Sequence, residues 1–468
     1  MAISSAGIGS GLDVNSIVSQ LVAIEKQPLK ALESKANNYQ VQLSMYGTIQ
    51  SQVSALGDAA AALANAQNWA AQKATSSNTA AVTVTASSTA VSTAFSLDVT
   101  QLARAQTTAS QNVAVNSTLG TASDNGTLTI NTGSWATGSF VAGTGSVAVS
   151  INGADTFTTI ASKINAANTG VTATVLRSGG QERLSFQSST TGEAAGFQIA
   201  SAGFTGLDSL SFTSQAATAS ATGMQSSQTG LDAQVKINGV AVTSATNTLT
   251  NVVPGLTLQL AQVTTAPVQV TVANDKEAMQ KSIQAFADAY SALNRTIAAD
   301  TKYVPGGTSG ALQGDSTTVG IQTVMRSILG SSSVGSTFSR LSDIGLEQQA
   351  DGSLKLNTTK LGTAMADMTN LQKLFTTDNS NSATNGFALK FRDVAKGLVA
   401  AGGTVTNKTA AIQGAINRNS DEQDRVTERA GKVEKQLRAQ YSALDAQMAK
   451  MTALSSYVTA QLAQWNKA

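Results

Sequence analysis

"SALDAQMAKMTALSSYVTAQLAQW", residues 442–465, is the stretch that decides how this chain is put together. Its apolar side chains fall at Leu444, Met448, Met451, Val458, Leu462 and Trp465, with Ser455 filling the gap, in alternating strides of 4 and 3. That spacing gives a helix one narrow apolar edge. The stripe continues upstream through Ile412, Ile416, Asn419, Gln423, Val426, Ala430, Val433, Leu437 and Tyr441. Two strides of four adjoin at Leu437 and Tyr441, a stutter that locally unwinds a left-handed supercoil. Asp421–Arg425, Glu428–Lys432 and Glu434–Arg438 are acid-before-base pairs at i, i+4, which support an exposed helix. The spacing predicts one helix from about Thr406 to Trp465, a rod of about 90 Å at ~1.5 Å per residue. Such a stripe can pack within its own domain. The length of the rod and the polar Asn419 and Gln423 on its seam, where polar residues set register and oligomer state, favour use between molecules.

The opposite end of the chain carries a matching pattern. After Met1, residues 2–11 are Gly, Ser and Ala with two Ile, and residues 1–11 read as a disordered tail. Asp13 is a plausible N-cap for Val14, Ile17, Val18, Leu21 and Ile24, which keep helical spacing. Pro28 either kinks this helix or sits in the first turn of a second one. From Leu32 the stripe runs through Tyr39, Leu43, Tyr46, Ile49, Val53 and Leu56 to about residue 68. Antiparallel pairing of the two terminal stripes is the simple way to bury both.

Between them the chemistry changes. Near Thr75 the chain becomes rich in Thr and Val, and residues 106–274 hold only 4 basic and 6 acidic residues in 169 positions. Short alternating runs recur there: "LTIN" at 128, "VAVSIN" at 147, "VTATVL" at 171, "LSFQ" at 184, "VKING" at 235, "LTLQL" at 256 and "VQVTV" at 268. These are strand patterns. "DNGT" at 124 reads as a hairpin turn, and residues 155–168 read as one short helix. Helix returns at Asp275 with Met279, Ile283, Phe286, Tyr290, Leu293 and Ile297. Residues 308–375 mix helices with a hairpin-like "LEQQADGSLKLN". The fold class is therefore α+β and multidomain. Terminal helices form coiled-coil or helix-bundle legs, with β-rich head domains inserted in the middle of the chain.

Composition narrows the function. The 468 residues contain no Cys and no His, which removes disulfides, the usual zinc sites and the usual general base at neutral pH. A balance of 30 basic and 28 acidic residues does not suggest nucleic-acid binding. No run of 18 apolar residues predicts a membrane span. "GIGSG" at residues 7–11 has too little chain before it for the strand a dinucleotide loop requires. "DNSNSATNGFAL" at 378–389 has Ala383 and Leu389 where a calcium loop needs Gly and Glu. Nothing singles out a carboxylate pair, so no enzyme, cofactor or metal is expected. The N-terminus lacks a secretory signal's basic and apolar regions, which alone would indicate a cytoplasmic protein.

"GSGLDVNSIVSQLVAIEKQPLKAL" near the N-terminus resembles the opening of the flagellar hook-associated protein 2 family, the filament cap proteins. So do "TASSTAVSTAFSLDVTQLARAQTTAS", "NTLTNVVPGLTLQLAQVTTAPVQVTVANDKEAMQKSIQAFADAYSALN", "GALQGDSTTVGIQTVMRSIL", "LSDIGLEQQADGSLKLN" and "LSSYVTAQLAQW", in the family's order. "TFTTIASKINAANTGVTATV" is similar to a small unit shared with flagellins. The resemblance spans nearly the whole chain and is weakest over residues 110–150 and 200–228.

The resemblance implies a protein exported without a cleavable signal peptide, through the flagellar type III channel, to an extracellular place at the filament tip. Copies would form a ring whose β domains make a plate and whose helical legs grip the filament end while flagellin inserts. Implied partners are other copies, flagellin, the hook–filament junction protein (hook-associated protein 3) and an export chaperone on the C-terminal helix.

The expected division is four-part. A tail and coiled coil would span 1–44 and 405–468, a helical leg 45–74 and 275–404, one β-rich head 75–109 and 228–274, and a second, inserted head 110–227. Interaction is expected along Ile17, Leu21 and Leu32 on the N-terminal arm. On the C-terminal arm it is expected along Leu437, Tyr441, Leu444, Met448, Met451, Val458, Leu462 and Trp465. The 442–465 stripe is expected to pack on the N-terminal helix and on flagellin's terminal helices or neighbouring caps. An adhesin binding a host glycan or mucin through the hydroxyl-rich head is the alternative.

Overall fold

The structure is a computed structural model that describes residues 13–135, 138–215 and 223–465, with Trp465 described in its backbone only. The expected tail at residues 1–11, with its "GIGSG", lies outside the described residues. The helices in chain order are α1 (Val14–Glu25), α2 (Gln27–Ala64), α3 (Ala66–Trp69), α4 (Phe157–Ala166), α5 (Lys276–Thr301), α6 (Ser316–Gly330), α7 (Thr358–Ala364), α8 (Met368–Thr376), α9 (Phe387–Val399) and α10 (Thr404–Trp465). The chain divides into two compact units, one made of the segments before Ala70 and after Asp275, the other of Ala70–Asp275.

The helical unit is built from both chain ends. Asp13 caps α1 by accepting a hydrogen bond from the Ser16 amide at 3.0 Å. Pro28 does not kink a continuous helix. It stands in the first turn of α2, where its missing N–H costs nothing, and Lys26 alone separates α1 from α2. Tyr46, Ile49, Val53, Leu56 and Leu63 of α2 pack with Ile283, Phe286, Tyr290 and Leu293 of α5 and with Phe387 and Phe391 of α9 in one core. Phe391 meets Phe286 and Tyr290 edge-on, with ring centroids 5.1 Å and 6.0 Å apart. A short hairpin pairs Leu346–Gln348 with Leu354–Leu356, as the "LEQQADGSLKLN" pattern predicts.

The Ala70–Asp275 unit is antiparallel β and has two hydrophobic cores. In the first, strands 72–76, 268–274, 93–101, 233–237 and 240–244 form one sheet in that order. Its register sets Val235 against Val99 and Val270 against Phe95. A three-stranded sheet of residues 248–250, 256–260 and 82–86 contributes Leu249, Leu258 and Val82 to the same core. Strands 233–237 and 240–244 are joined by Asn238–Gly239, both at positive φ (48° and 84°), the two-residue turn that matches strand twist.

The second core lies within residues 113–224, where Leu128, Ile130, Phe186 and Phe197 from two sheets meet Phe157, Ile160 and Ile164 of α4. The chain enters and leaves it side by side: Arg104 and Leu231 exchange both backbone hydrogen bonds, at 2.8 and 3.1 Å.

One turn signal failed. "DNGT" is not a hairpin. Asn125 begins the strand Asn125–Ser134, and Gly126 pairs with Ile151 inside the ladder. The glycine is there for closeness, because a Cβ on it would stand 2.6 Å from Leu207 Cδ2 and 2.8 Å from the Ala202 carbonyl oxygen. Asp124 instead accepts from the Thr121 backbone N–H and hydroxyl, at 2.7 and 2.8 Å.

Candidate interaction surface

α10 is 62 residues long and runs antiparallel to α2 and α1 in turn. The Lys408 ammonium lies over the Tyr46 ring. Twenty-one residues on, Arg429 pairs with Glu25, itself 21 residues before Tyr46, at 3.3 Å. Arg438 then donates to Asn15 at 3.0 Å. The break at Lys26 therefore leaves the register of the two arms unchanged.

The seam between α1 and α10 is made by Val14, Val18 and Val22, packed against Ala430 with Leu437 and Tyr441 beside them. The predicted Ile17 is half-buried and flanks this row, Leu21 is exposed, and Leu32 is half-buried on α2. The apolar face of α1 is wider than one row, and spacing alone does not say which row meets the partner. The i, i+4 row of small β-branched valines does so here. The sequence reading placed Val14 and Val18 on the helical stripe but expected interaction along the larger Ile17 and Leu21.

Between Ile416 and Val426, opposite α2, the seam is polar at Asn419 and Gln423. Asn419 is 3% exposed, and its Oδ1 accepts from Gln423 Nε2 at 2.7 Å while its Nδ2 has no partner among the described residues. This Asn faces a seam within the chain. Of the acid–base pairs, Glu428–Lys432 and Glu434–Arg438 close, at 3.8 and 2.9 Å.

Among the described residues the covering of α10 ends at Tyr441. Leu444 is 42% exposed, Met451 67% and Leu462 54%, and Met448 and Val458 are open as well. The expected packing of 442–465 on the N-terminal helix is therefore corrected. α1 begins at Val14, whose level on α10 is Leu437–Tyr441, so it does not reach the distal stripe. Trp465 ends the helix, and its side chain lies outside the described residues. Leu454 and Tyr457, both 62% exposed, stand off the predicted stripe and widen the apolar surface. Their i, i+3 spacing was the available signal.

One polar cluster ties the proximal arm to the rest of its unit. Tyr46 donates to Asp315 Oδ1 at 2.6 Å, Thr318 Oγ1 lies 2.9 Å from the same phenol, and Lys408 pairs with Asp315 at 2.8 Å. Asp315 is also the N-cap of α6, accepting from the Thr318 amide. Burial pushes its carboxyl up, but hydrogen bonds from Lys408, Tyr46 and the Thr318 amide hold it below the usual carboxylate range. Burial and the Asp315 bond push the Tyr46 phenol well above its ordinary value. Among the described residues no group of acidic side chains could hold a metal ion, and no helix is long and apolar enough to cross a membrane.

The arrangement is that of an assembly scaffold, with terminal helices paired as arms, β domains inserted between them and one apolar helix face left open. Sequence comparison gives the class its family. Residues 10–106 match the family described as "Flagellar hook-associated protein 2 N-terminus" and residues 230–453 its C-terminus, while 127–190 match "Flagellin hook IN motif". The chain is 29% identical to flagellar hook-associated protein 2 of Escherichia coli strain K12 over 98% of both chains. It is 27% identical to the A-type protein of Pseudomonas aeruginosa over 94% of this chain and 93% of the other. The crystal structure of the flagellar cap protein FliD D1-D2-D3 domains from Escherichia coli superposes with a TM-score of 0.60. It is 29% identical and covers 79% of this chain and 99% of its own. The chain belongs to the flagellar hook-associated protein 2 family.

Proposed function

We propose that this protein is the structural cap at the distal tip of the bacterial flagellar filament, where copies form a ring that promotes insertion of exported flagellin and prevents its loss. Membership of a family with a solved flagellar cap protein supports the reading. The observation that carries its mechanism is the open stripe Leu444–Leu462 on a helix whose proximal half is already paired. No bond is made or broken. The distal half binds filament subunits or neighbouring copies, and the work is differential binding as subunits add.

The four-part division belongs to the same proposal. Separate hydrophobic cores in the helical unit, in the two β regions and between α1 and α10 support it, with the leg core drawing on the second half of α2, on α5 to α9 and on Val405 and Ile412 of α10. Export without a cleavable signal, a chaperone that covers the C-terminal stripe beforehand, and contact with hook-associated protein 3 belong to the same proposal. The glycan-adhesin alternative has no observation in its favour.

The test is genetic. A strain lacking the gene should carry hooks without filaments and leak unpolymerised flagellin. Restoring the gene with Leu444→Asp, Met451→Asp and Leu462→Asp should not repair it. Normal filaments from that variant would remove the role of the stripe, and normal filaments without the gene would remove the capping role.

A further inference from the structure

The two β cores of the Ala70–Asp275 unit are joined by short connectors. Ala103 belongs to the first core, and Gln106, just beyond it, is already fixed in the second region. Gln106 is fully buried, its Oε1 accepts from the Phe197 amide at 3.0 Å, and its Nε2 donates to the Phe197 carbonyl at 2.8 Å. On the return path Gln228 Nε2 donates to the Ala105 carbonyl at 2.7 Å before Ala233 re-enters the first core. The two connectors, paired through Arg104 and Leu231, make a narrow ribbon, and a ribbon of two strands can still twist. The junction has room for such movement. A cleft of about 260 Å³ lies beside the ribbon, lined by Gln106, Trp135, Glu193, Gly230 and Leu231.

A further tie crosses between the regions. Residues 191–193 of the second lie against the first. Thr191 Oγ1 donates to the Ala245 carbonyl at 2.7 Å, the Gly192 amide to the Arg104 carbonyl at 3.1 Å and the Glu193 amide to Asp232 Oδ1 at 2.7 Å. Ala245 follows the strand 240–244 and belongs to neither connector. Gly192 makes this approach possible. It sits at φ 108°, ψ 159°, a region essentially reserved for glycine. A Cβ there would stand 2.9 Å from Ala245 Cβ and 3.0 Å from the Ala245 carbonyl oxygen. Gly230 leaves the matching space on the connector, since a Cβ on it would stand 2.8 Å from the Gly192 carbonyl oxygen.

We propose that residues 191–193 are a latch, with Gly192 its positioning residue, that holds the two β regions at one fixed angle. The pair then moves as a single lever, and a tilt at one region passes to the other. The latch is a property of the folded chain and stands independently of the capping reading. The competing account is a hinge, in which the ribbon bends while the contacts at 191–193 form and break.

The two separate in distances between paired spin labels on the full chain, which has no Cys of its own to compete for the label. Leu176→Cys in the second region and Val240→Cys in the first are both at exposed positions and report the angle between regions. Val91→Cys with Val240→Cys, and Val141→Cys with Leu176→Cys, report each region by itself. The latch predicts an inter-region distance distribution as narrow as the internal ones. Gly192→Ala should broaden it roughly twofold or more and leave the internal pairs unchanged. Thr191→Val with Asp232→Ala should do the same without placing a side chain at position 192, so the test stands even where Gly192→Ala disturbs its own region. A broad inter-region distribution in the parent would overturn the latch in favour of the hinge. A distribution as narrow in the Thr191→Val, Asp232→Ala chain as in the parent would overturn it too, because the connectors alone would then fix the angle.

Discussion

The two halves of α10 carry the same code and meet different fates. From Val405 to Tyr441 the apolar stripe is met by α2 and then α1, and Val405, Ile412 and Ala430 are buried. From Leu444 to Leu462 the same alternation of strides stands open. Their flanks differ. Residues 418–438 hold eleven charged side chains, whereas 442–464 hold only Asp445 and Lys450. A helix whose flanks are charged is finished once its seam is covered, since those flanks are solvated. A helix with uncharged flanks and a seam of Leu and Met has its main source of stability still to come from a partner.

The largest effect that would sharpen this contrast lies in the core that anchors the proximal half. Phe391→Ala removes a fully buried ring stacked edge-on against two others and should cost about 3–5 kcal/mol in denaturant unfolding of the helical unit. Next comes Tyr46→Phe, which strips Asp315 of one donor and should cost about 1–3 kcal/mol.

The same cluster gives a pH signature. Asp315 is depressed in the folded state, so its contribution is present above the unfolded carboxylate value of about 3.9 and is lost as pH falls through its lower folded value. Asp315→Asn should flatten that acid limb. The tyrosines act at the other end. Tyr290 is pushed up to about 12 by burial, and Tyr46 is raised too. Their stabilising effect is full below the unfolded value of about 10 and is lost as pH climbs through the folded ones. Ultraviolet titration should therefore show Tyr46 and Tyr290, two of the six tyrosines, ionising above the ordinary value of about 10.

Smaller still is Val18→Ala. It thins the α1 seam and should cost roughly 1 kcal/mol, read as faster amide exchange in α1 while α5 is unchanged. The smallest effect on folding belongs to the distal half. Leu444→Asp with Met451→Asp and Leu462→Asp should change the stability of the isolated chain by no more than ~0.5 kcal/mol per site, although the triple variant is expected to abolish capping. A large loss of stability there would mean that the distal stripe is already packed within the chain, and the contrast between the halves would fail.

Much of this was legible in the sequence because it is periodic and local. The 3.6-residue rows of α2, α5 and α10, the alternating strands of the middle region and the capping Asp13 all follow from residues within a few positions of one another. The family resemblance was carried by the same local segments, in order along the chain. Where a signal depended on what lay opposite, reading failed. Gly126 looks like half of a turn, and only the approach of Leu207 and Ala202 shows it to be a strand residue with no room for a side chain.

The sequence by itself thus determined the kinds of element, their order and the existence of two apolar arms, because those depend on backbone periodicity and on where hydrophobic side chains recur. Only the tertiary structure decided that Val14, Val18 and Val22 rather than Ile17 and Leu21 face α10, that the covering stops at Tyr441, and that Tyr46, Asp315 and Lys408 meet. Those outcomes join residues tens to hundreds of positions apart. Which row of a broad apolar face is buried, and which charge finds a counterion, is settled by the packing of everything between them.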